Sequence, residues 1–325
     1  MKAQRIIEIA EDGRFVGIER GFLVVSAAKS ELGRIPLDDI AAVICNSNYA
    51  TLSTAAISAL AAHGIPLVVC DKKTKRPSSF LVTLEGNYRQ GDIMSAQADA
   101  KLPLRKSLWK DIVKAKLLQQ AEVLLFFGKS KESEMLSGLA ELVRSGDSEN
   151  CEARGAAVYW KALMGEYFRR DKDADDENVL FNYGYTVVRA CMMRAISSAG
   201  LHPSIGLHHR SSTNTARLAD DLMEPFRPFI DLEAKAICKE ADDIELTVEN
   251  KRRLSGVVDR KIGIRDRETT LQTLMFRLSV SLAQVFAGER GKLDIQTVKM
   301  RDFYGKTTKK SKSKRTQTYV DDGDV

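Results

Sequence analysis

The 325-residue sequence has only five cysteines, and they are poorly spaced for bridging or for zinc. Their number is odd, neighbouring cysteines lie 25 to 81 residues apart, and no two form a Cys-x-x-Cys pair. Such spacing argues against a disulfide framework and against a zinc cluster. We therefore expect free thiols in a reducing, cytoplasmic setting. The five are Cys45, Cys70, Cys151, Cys191 and Cys238.

Long apolar runs are also absent. The longest are VLLFF at 123–127 and IPLVVC at 65–70, well short of the ~20 residues that a membrane-spanning helix needs. The N-terminal segment has no apolar core followed by a small-residue cleavage site, so we expect neither a membrane span nor a secretory signal. With 44% hydrophobic and 29% charged residues, the composition is that of a soluble globular protein.

Positive charge is in small excess and is unevenly distributed. The formal net charge is +6, and the segment 306–315 holds six basic side chains and no acidic one. Three aspartates at 321, 322 and 324 leave +3 for the tail and +3 for the other residues. An excess this small is compatible with nucleic-acid binding but does not argue for it.

Hydrophobic periodicity divides the chain into two parts. Up to about residue 85, short β-branched runs predict strands, with one helix over TAAISALAA capped by Ser53 or Thr54. From Leu104 the apolar residues recur at helical spacing. Further helices are predicted at 132–145, 151–168, 182–199, 213–224, 228–240 and 249–286. The predicted fold is α+β and multi-domain: a small β-rich N-terminal domain (1–85), a linker (86–103), an all-α C-terminal domain (104–304) and a disordered tail (305–325).

Only four histidines are present, so each can be weighed. His63 at a helix end and His202 in a turn are explained by structural roles. His208 and His209 lie in a loop rich in Gly, Ser and Asn between two predicted helices, where catalytic groups concentrate. Adjacent side chains in an extended loop diverge, so we expect one of the two to face a given site.

Three carboxylates follow this loop on about one helical turn: Asp220, Asp221 and Glu224. Their mutual repulsion would be relieved by a bound cation. On spacing alone, the favoured interpretation is the ordinary one, a solvated acidic face paired with Arg217 and Arg227.

Glu152 opens another predicted helix, in which the small residues Ala153, Gly155, Ala156 and Ala157 would let a second helix approach. Taken alone, this glutamate is explained by a favourable interaction with the helix dipole.

Together these motifs resemble one known family. A Glu in a small-residue helix, a Gly-x-His-His loop about 57 residues later and the segment DDLMEPFRP resemble the CRISPR-associated adaptation integrases, the Cas-one family. The resemblance covers essentially the whole chain, including residues 69–79 and the Asn-Tyr-Gly-Tyr sequence at 182–185. The full set is most similar to the branch that accompanies the Cas-nine effector in type II systems.

The resemblance implies that a Glu, a His and a final acidic residue bind a divalent ion, Mg²⁺ or Mn²⁺. In this chain they are Glu152, His209 and Glu224, since the family loop carries its ligand at the fourth position counted from Gly206. Some branches have Asp where this chain has Glu224; the exchange keeps an oxygen ligand. An imidazole ligand shifts the preference slightly toward Mn²⁺.

Asp221 is expected either as a further ligand or as a residue that orients the ligands from outside the metal sphere. His208 is expected either to hydrogen-bond a carboxylate and so fix the loop, or to contact DNA. Arg210, next to the histidine pair, and Lys161 are candidates for holding DNA phosphate. Further basic residues crowd one predicted helix, where phosphate binding and ordinary solvation are equally good explanations. These are Arg105, Lys106, Lys110, Lys114 and Lys116.

The resemblance implies a reaction in which each 3′-hydroxyl of a short DNA fragment attacks a backbone phosphodiester of a repeat array. It makes the helical domain catalytic and implies a homodimer formed through the N-terminal domain. Two such dimers are expected to flank a dimer of the small Cas-two protein, with Cas-nine and other adaptation proteins as further partners. Two alternatives stay open: a stand-alone metal-dependent nuclease acting on branched or single-stranded DNA, and a non-catalytic DNA-binding scaffold.

Overall fold

Strands dominate the N-terminal part of the chain and helices dominate the rest, as the hydrophobic periodicity predicts. The structure, a computed structural model, describes residues 4–71, 77–83, 87–171, 174–240, 244–264 and 267–304. The predicted disordered tail at 305–325 lies outside these ranges. Within them, no helix is both long enough and apolar enough to cross a membrane, and all five cysteines are free thiols.

Two four-stranded sheets form the N-terminal part. Their strands are β1 (Arg5–Ile9), β2 (Phe15–Glu19), β3 (Phe22–Ala27), β4 (Ser30–Pro36), β5 (Ile40–Cys45), β6 (Thr51–Leu52), β7 (Leu67–Cys70) and β8 (Pro77–Leu81). The first sheet has the order β1-β5-β7-β8, parallel except for β8. The second has the order β4-β3-β2-β6, antiparallel except for the β2–β6 pair.

Strand β5 belongs to both hydrophobic cores of the protein. Its sequence IAAVIC is apolar throughout and all six residues are buried, as expected of a strand covered on both faces. Ile40 and Val43 belong to a small core within the N-terminal part, whereas Ala42 and Ile44 belong to the large core of the helical part. The sheet containing β5 therefore packs directly on the helices.

Helix α1 (Thr54–Ala62) begins and ends as its sequence predicts. The Ser53 side chain accepts a hydrogen bond from the Ala56 amide at 3.1 Å, which caps the first turn. Gly64, with φ at +60°, follows the last turn and turns the chain toward β7.

The helices of the C-terminal part are α2 (Gln90–Asp99), α3 (Leu102–Phe126), α4 (Ser130–Leu142), α5 (Cys151–Met164), α6 (Asn178–Ser198), α7 (Arg217–Leu222), α8 (Arg227–Glu240), α9 (Val248–Gly256), α10 (Leu271–Phe286) and α11 (Met300–Tyr304). Helix α3 is 25 residues long and contacts α4, α5 and α8, whereas α6 contacts α8, α9 and α10. A 3-10 turn, Glu224–Phe226, lies between α7 and α8.

The linker predicted at 86–103 contains a helix that the sequence analysis did not predict. Helix α2 has a largely polar sequence, QGDIMSAQAD, and buries only Ile93 and Gln97. Too few apolar positions recur there for hydrophobic periodicity to reveal it.

The prediction of a single helix at 249–286 is wrong for the residues between Gly256 and Leu271. After α9, a 3-10 turn and an antiparallel hairpin, β9 (Ile262–Ile264) with β10 (Arg267–Thr269), precede α10. The Thr270 hydroxyl accepts a hydrogen bond from the Thr273 amide and so starts a new helix at this point. The helical part therefore includes one small hairpin and is not entirely α.

Two glycines allow helices to approach closely. A Cβ atom on Gly155 of α5 would lie 2.2 Å from Cδ2 of Leu117 on α3, and one on Gly184 of α6 would lie 2.3 Å from Cγ2 of Ile230 on α8. Neither position has room for a side chain. Gly155 therefore sets the distance between α5 and α3.

Gly155→Ala should destabilise the protein by about 1–3 kcal/mol, because the added methyl group overpacks the contact with Leu117. Gly138→Ala on α4 is the matched control: nothing lies within 4 Å of its added Cβ, and alanine favours a helix by roughly 0.5–1 kcal/mol over glycine. Urea unfolding of both variants measures the difference. Equal stabilities of the two variants would contradict the close packing of α5 on α3.

A buried carboxylate connects three of these helices. Asp231 of α8 accepts hydrogen bonds from the hydroxyl groups of Tyr159 on α5 (3.0 Å) and Tyr185 on α6 (2.5 Å). Burial raises its pKa to about 7, although the two hydrogen bonds and the charges of Arg170 and Arg227 act in the opposite direction.

The raised pKa of Asp231 has a consequence for stability. Between about pH 4 and 7 the folded protein retains a proton on this group that the unfolded chain has lost, so stability should fall as pH rises through this window. A pKa raised from 3.8 to about 7 corresponds to about 4 kcal/mol across this window, and Asp231→Asn should remove up to that much of the fall. Part of the slope should remain, because burial also raises the pKa of Asp259 to about 7.

Denaturant unfolding across this pH window compares wild type, Asp231→Asn and Asp38→Asn. The last variant removes an exposed carboxylate and should follow wild type. If Asp231→Asn keeps the wild-type pH slope, Asp231 is ionised throughout the window and the expectation is wrong.

Candidate active site

Glu152 stands in the first turn of α5 and is positioned by the turn before it. The Asp147 carboxylate accepts hydrogen bonds from the amides of Cys151 (2.8 Å) and Glu152 (3.0 Å), which caps the helix. Because Gly155 lets α5 lie close to α3, the Glu152 Oε1 atom reaches Nζ of Lys116 at 2.7 Å. The Glu152 side chain keeps 27% of its surface exposed, so its carboxylate remains accessible from outside.

Glu224 begins the 3-10 turn between α7 and α8 and is almost fully buried, with 4% of its side chain exposed. Its Oε2 lies 2.6 Å from Nζ of Lys116, and its Oε1 lies 3.2 Å from Nη2 of Arg227. Burial raises the pKa of Glu224, but the charges of Arg227 and Lys116 outweigh it and lower the pKa below its ordinary value. Glu224 is therefore a buried, ionised carboxylate.

Lys116 of α3 joins the two glutamates. Its side chain is 11% exposed. Burial lowers the pKa of Lys116, but the charges of Glu224 and Glu152 raise it above the ordinary value, so the ammonium group stays protonated. In the sequence, Lys116 is only one of several basic residues on this helix. Its position four residues after Ile112, on the apolar side of α3, is the signal that could have distinguished it.

Asp221 organises the histidine loop. Its carboxylate is fully buried and accepts hydrogen bonds from the amides of Leu207 (2.6 Å), His208 (3.1 Å) and His209 (3.2 Å). Gly206 makes this approach possible, since a Cβ there would lie 2.8 Å from Asp221 Oδ2. In the sequence Asp221 lies three residues before the candidate ligand Glu224. In the structure it contacts the loop that carries His209.

The His209 ring is oriented by the same carboxylate. Its Nδ1 lies 2.6 Å from Asp221 Oδ1. This hydrogen bond raises the pKa of His209 against the effect of burial, with additional contributions from the charges of Asp221 and Glu224. When Nδ1 donates to Asp221, the neutral imidazole presents the lone pair of Nε2 away from it, which is the tautomer a metal ligand requires.

His208 has a different environment. Its ring stacks on Trp109 of α3, with 4.4 Å between ring centroids and 5° between planes. Trp109 is buried, whereas His208 is exposed. The two histidines thus diverge as expected for adjacent residues in a loop. His209 turns to the carboxylate of Asp221, and His208 to the indole of Trp109.

The acidic turn is not a solvated face, so this part of the interpretation favoured on spacing alone is wrong, whereas the pairing with Arg227 that it included is confirmed at Glu224. Asp221 and Glu224 are 0% and 3% exposed. Asp220 is paired with Arg189 at 2.7 Å and accepts a hydrogen bond from Asn214 at 2.6 Å. The three carboxylates therefore have three separate environments.

Glu152, His209 and Glu224 offer the kinds of donor that suit Mg²⁺ or Mn²⁺: two carboxylates and an imidazole. The two carboxylates converge on one cation, the Lys116 ammonium. Glu224 Oε2 contacts this ammonium at ion-pair distance, yet it has no hydrogen-bond partner among the described residues. Within the same residues, no three His, Cys, Asp or Glu side chains already form a metal-binding group. The donors fit a divalent ion, but Lys116 occupies the position between the two carboxylates.

Arg210, Lys106 and Lys110 remain candidates for contacting DNA. Arg210 is exposed directly beyond the histidine pair, and Lys106 is exposed near the start of α3. Lys110 lies 3.7 Å from Asp111, its neighbour in the chain. Arg210 is the nearest of the three in sequence to the candidate ligands.

Lys161 and Arg105 have partners within the chain. Lys161, at the far end of α5 from Glu152, pairs with Glu166 at 2.6 Å on an exposed surface. The Arg105 guanidinium donates hydrogen bonds to two carbonyl oxygens at the end of α2, at 3.2 and 3.1 Å. Arg105 thus has a structural role in ending α2.

Comparison with known sequences gives one family. A model of the family described as CRISPR associated protein Cas1 matches residues 7–241, which include all three candidate ligands. A CRISPR-associated endonuclease Cas1 from Neisseria meningitidis is 38% identical over 224 residues, covering 69% of this chain and 73% of the relative. A relative of the same description from Pyrobaculum aerophilum is 30% identical over 70% of this chain and 80% of its own length.

Comparison with solved structures shows the same fold. A casposase bound to its integration product superposes with a TM-score of 0.75 at 20% identity, covering 90% of this chain and 93% of the casposase. A Cas1 protein from Thermotoga maritima gives a TM-score of 0.70 at 14% identity, covering 88% of this chain and 99% of that protein. A chain of a Cas6-RT-Cas1–Cas2 complex gives 0.69 at 20% identity, covering 92% of this chain and 36% of that one. On the family match and the sequence identity together, this chain belongs to the CRISPR-associated Cas1 family, as its motifs imply.

Proposed function

We propose that this protein is a spacer-acquisition integrase that joins the 3′-hydroxyl ends of DNA into the repeats of a CRISPR array. The observation that supports this most directly is the convergence of Glu152 and Glu224 on one cation position, with His209 oriented by Asp221. The name endonuclease among its relatives supports phosphodiester chemistry. The likeness to a casposase bound to its integration product supports strand joining.

In this proposal Glu152, His209 and Glu224 hold Mg²⁺ or Mn²⁺. The ion, when bound, would stabilise charge on the phosphate and make the attacking hydroxyl a better nucleophile. Asp221 keeps the His209 ring in the tautomer that leaves Nε2 available. Arg227 compensates the charge of Glu224 where water cannot. No side chain needs to attack the phosphate.

The reaction conserves the number of phosphodiester bonds. An oxygen of the incoming 3′-hydroxyl bonds to phosphorus while one backbone P–O bond breaks, and a proton passes from the attacking to the leaving hydroxyl through solvent. Because one ester replaces another, the step needs no external energy source. The protein therefore has to position and stabilise charge, which rigidly held charged groups do well.

The proposal includes partners. A homodimer built through the N-terminal sheets would combine with a dimer of Cas2 into a heterohexamer that spaces two active sites on DNA in the prokaryotic cytoplasm. The likeness to Cas6-RT-Cas1–Cas2 and Cas1–DNA complexes supports partnership with Cas2 and with DNA. Cas-nine and further adaptation proteins are additional candidates, on the motif resemblance to the type II branch.

A stand-alone nuclease is the second candidate, since the curated relatives carry the name endonuclease. A labelled oligonucleotide separates the two functions: an integrase joins it to repeat DNA, whereas a nuclease only shortens it. A non-catalytic scaffold is disfavoured because the candidate ligands and the residues that orient them are all present.

Strand transfer should be abolished by EDTA and restored by Mg²⁺ or Mn²⁺. Glu152→Gln and Glu224→Gln should each reduce it by about 100-fold or more, since each removes a charge that the ion requires while keeping the side-chain shape. Glu166→Gln, which changes a carboxylate in an exposed ion pair, is the control. Full activity in excess EDTA, or of Glu224→Gln, would contradict the proposed metal site.

The two histidines should differ sharply. His209→Ala should eliminate strand transfer and weaken Mn²⁺ binding, because it removes a ligand. His208→Ala should leave a measurable rate with unchanged Mn²⁺ affinity, and His208→Phe, which can stack on Trp109, should restore more activity than alanine. Asp221→Asn should weaken Mn²⁺ binding by about 10–100-fold through the lost orientation of His209.

Activity measured across a Mn²⁺ titration decides between the two positions. If His208→Ala is inactive while extra Mn²⁺ restores the strand-transfer activity of His209→Ala, the metal ligand is His208 and its assignment to His209 is wrong. Circular dichroism of each variant checks that the fold is intact.

A further inference from the structure

Lys116 lies where three elements of the site meet. It comes from the middle of α3 and contacts Glu152 at the start of α5 and Glu224 in the turn before α8, at 2.7 and 2.6 Å. With 11% of its side chain exposed, it is held in place by packing and is unlike the exposed lysines Lys106 and Lys114 on the same helix. Its ammonium therefore has a defined position between two carboxylates.

The charges of this group balance without any metal. Lys116 and Arg227 supply two positive charges, and Glu152 and Glu224 supply two negative ones. A divalent ion added to the same two carboxylates would bring these four side chains and the ion to a net charge of +2, or to +1 when the buried carboxylate of Asp221 beside His209 is counted. Buried charge that lacks compensation is costly. A backbone phosphate of DNA carries the opposite charge and would compensate it.

We propose that Lys116 is an internal counter-cation that competes with the divalent ion for Glu152 and Glu224 and thereby couples metal binding to DNA binding. The inference rests on the proposed function, because it requires Glu152 and Glu224 to be metal ligands. Without DNA, the ammonium compensates the charge of both carboxylates and the site binds metal weakly. With a phosphate present, the added positive charge is balanced and metal binds more tightly. By linkage, metal then strengthens DNA binding by the same factor.

The experiment measures Mn²⁺ affinity of the full chain by electron paramagnetic resonance, without DNA and with a short duplex. Lys116→Met keeps the length of the side chain and removes its charge. Its Mn²⁺ affinity without DNA should exceed that of wild type by about tenfold or more, since a unit charge in contact shifts a neighbouring ionic equilibrium by about one to three orders of magnitude. The gain in affinity on adding DNA should be smaller in Lys116→Met than in wild type.

Lys114→Met is the matched control, because Lys114 lies on the same helix and is exposed. It should bind Mn²⁺ like wild type in the absence of DNA. An unchanged or lowered Mn²⁺ affinity of Lys116→Met without DNA would overturn the competition. An equal gain on adding DNA in Lys116→Met and wild type would overturn the coupling.

Removal of Lys116 also leaves two carboxylates facing each other, so folding is measured together with binding. Thermal unfolding in EDTA should occur at a lower temperature for Lys116→Met and Lys116→Gln than for wild type. Mn²⁺ should raise the transition more in these variants than in wild type, because the ion replaces the missing charge. An equal Mn²⁺-induced shift in all three proteins, or variants that stay unfolded in Mn²⁺, would count against the inference.

Glu224→Gln separates failure of this inference from failure of the proposed function. If wild type and Lys116→Met bind Mn²⁺ no better than Glu224→Gln, with and without DNA, the metal site itself is wrong. If wild type binds Mn²⁺ better than Glu224→Gln and Lys116→Met only equals wild type, the metal site stands and the role of Lys116 is wrong.

Discussion

A carboxylate buried to the extent of Glu224 needs compensating positive charge, and this requirement shapes the packing around the site. Lys116 from α3 and Arg227 from α8 supply it. Breaking a buried ion pair by removing one partner costs about 3–5 kcal/mol. The close approach of α5 to α3 at Gly155 then brings Glu152 to the same ammonium group. One electrostatic requirement thus determines how three elements meet where the chemistry is proposed to occur.

Asp221 and Glu224 are three residues apart and both are buried, yet they have different roles because different groups surround them. Glu224 is compensated by cations. Asp221 takes three backbone amides and the ring of His209. A carboxylate satisfied by amides fixes a loop, whereas one satisfied by a lysine can exchange that cation for another. The spacing of the two residues in the sequence does not predict this difference. It arises because the loop at 207–209 supplies amide donors to Asp221, whereas α3 supplies the Lys116 ammonium to Glu224.

Most strands and helices were predictable, because they follow from hydrophobic periodicity. The three candidate ligands could be named only through the family resemblance, which rests on a helix start, a Gly-x-His-His loop and a DLME turn, and their role as ligands stays a prediction. Periodicity could mark Lys116 as lying on the apolar side of its helix. The roles of Lys116 and Trp109 could not be assigned, because they depend on contacts with residues about 36 and 100 positions away in the chain. The hairpin within the predicted helix at 249–286 was missed for a related reason: three-residue strands are too short to show a period of two.

The polar network extends from the site into the core. The Arg227 guanidinium, next to Glu224, lies 4.9 Å from the centre of the Tyr185 ring, and the Tyr185 hydroxyl donates to Asp231. Asp231 also accepts from Tyr159 of α5, the helix that carries Glu152. Helix α5 is therefore joined to α8 directly through Asp231 and to the 3-10 turn before α8 through Lys116. The segments that carry Glu152 and Glu224 are therefore held together both at the site, by Lys116, and in the core, by Asp231. The loop that carries His209 is also held by the stacking of His208 on Trp109. The amide and the ring of His209 itself both bond to Asp221, so a change at Asp221 would disturb the orientation of this ring directly.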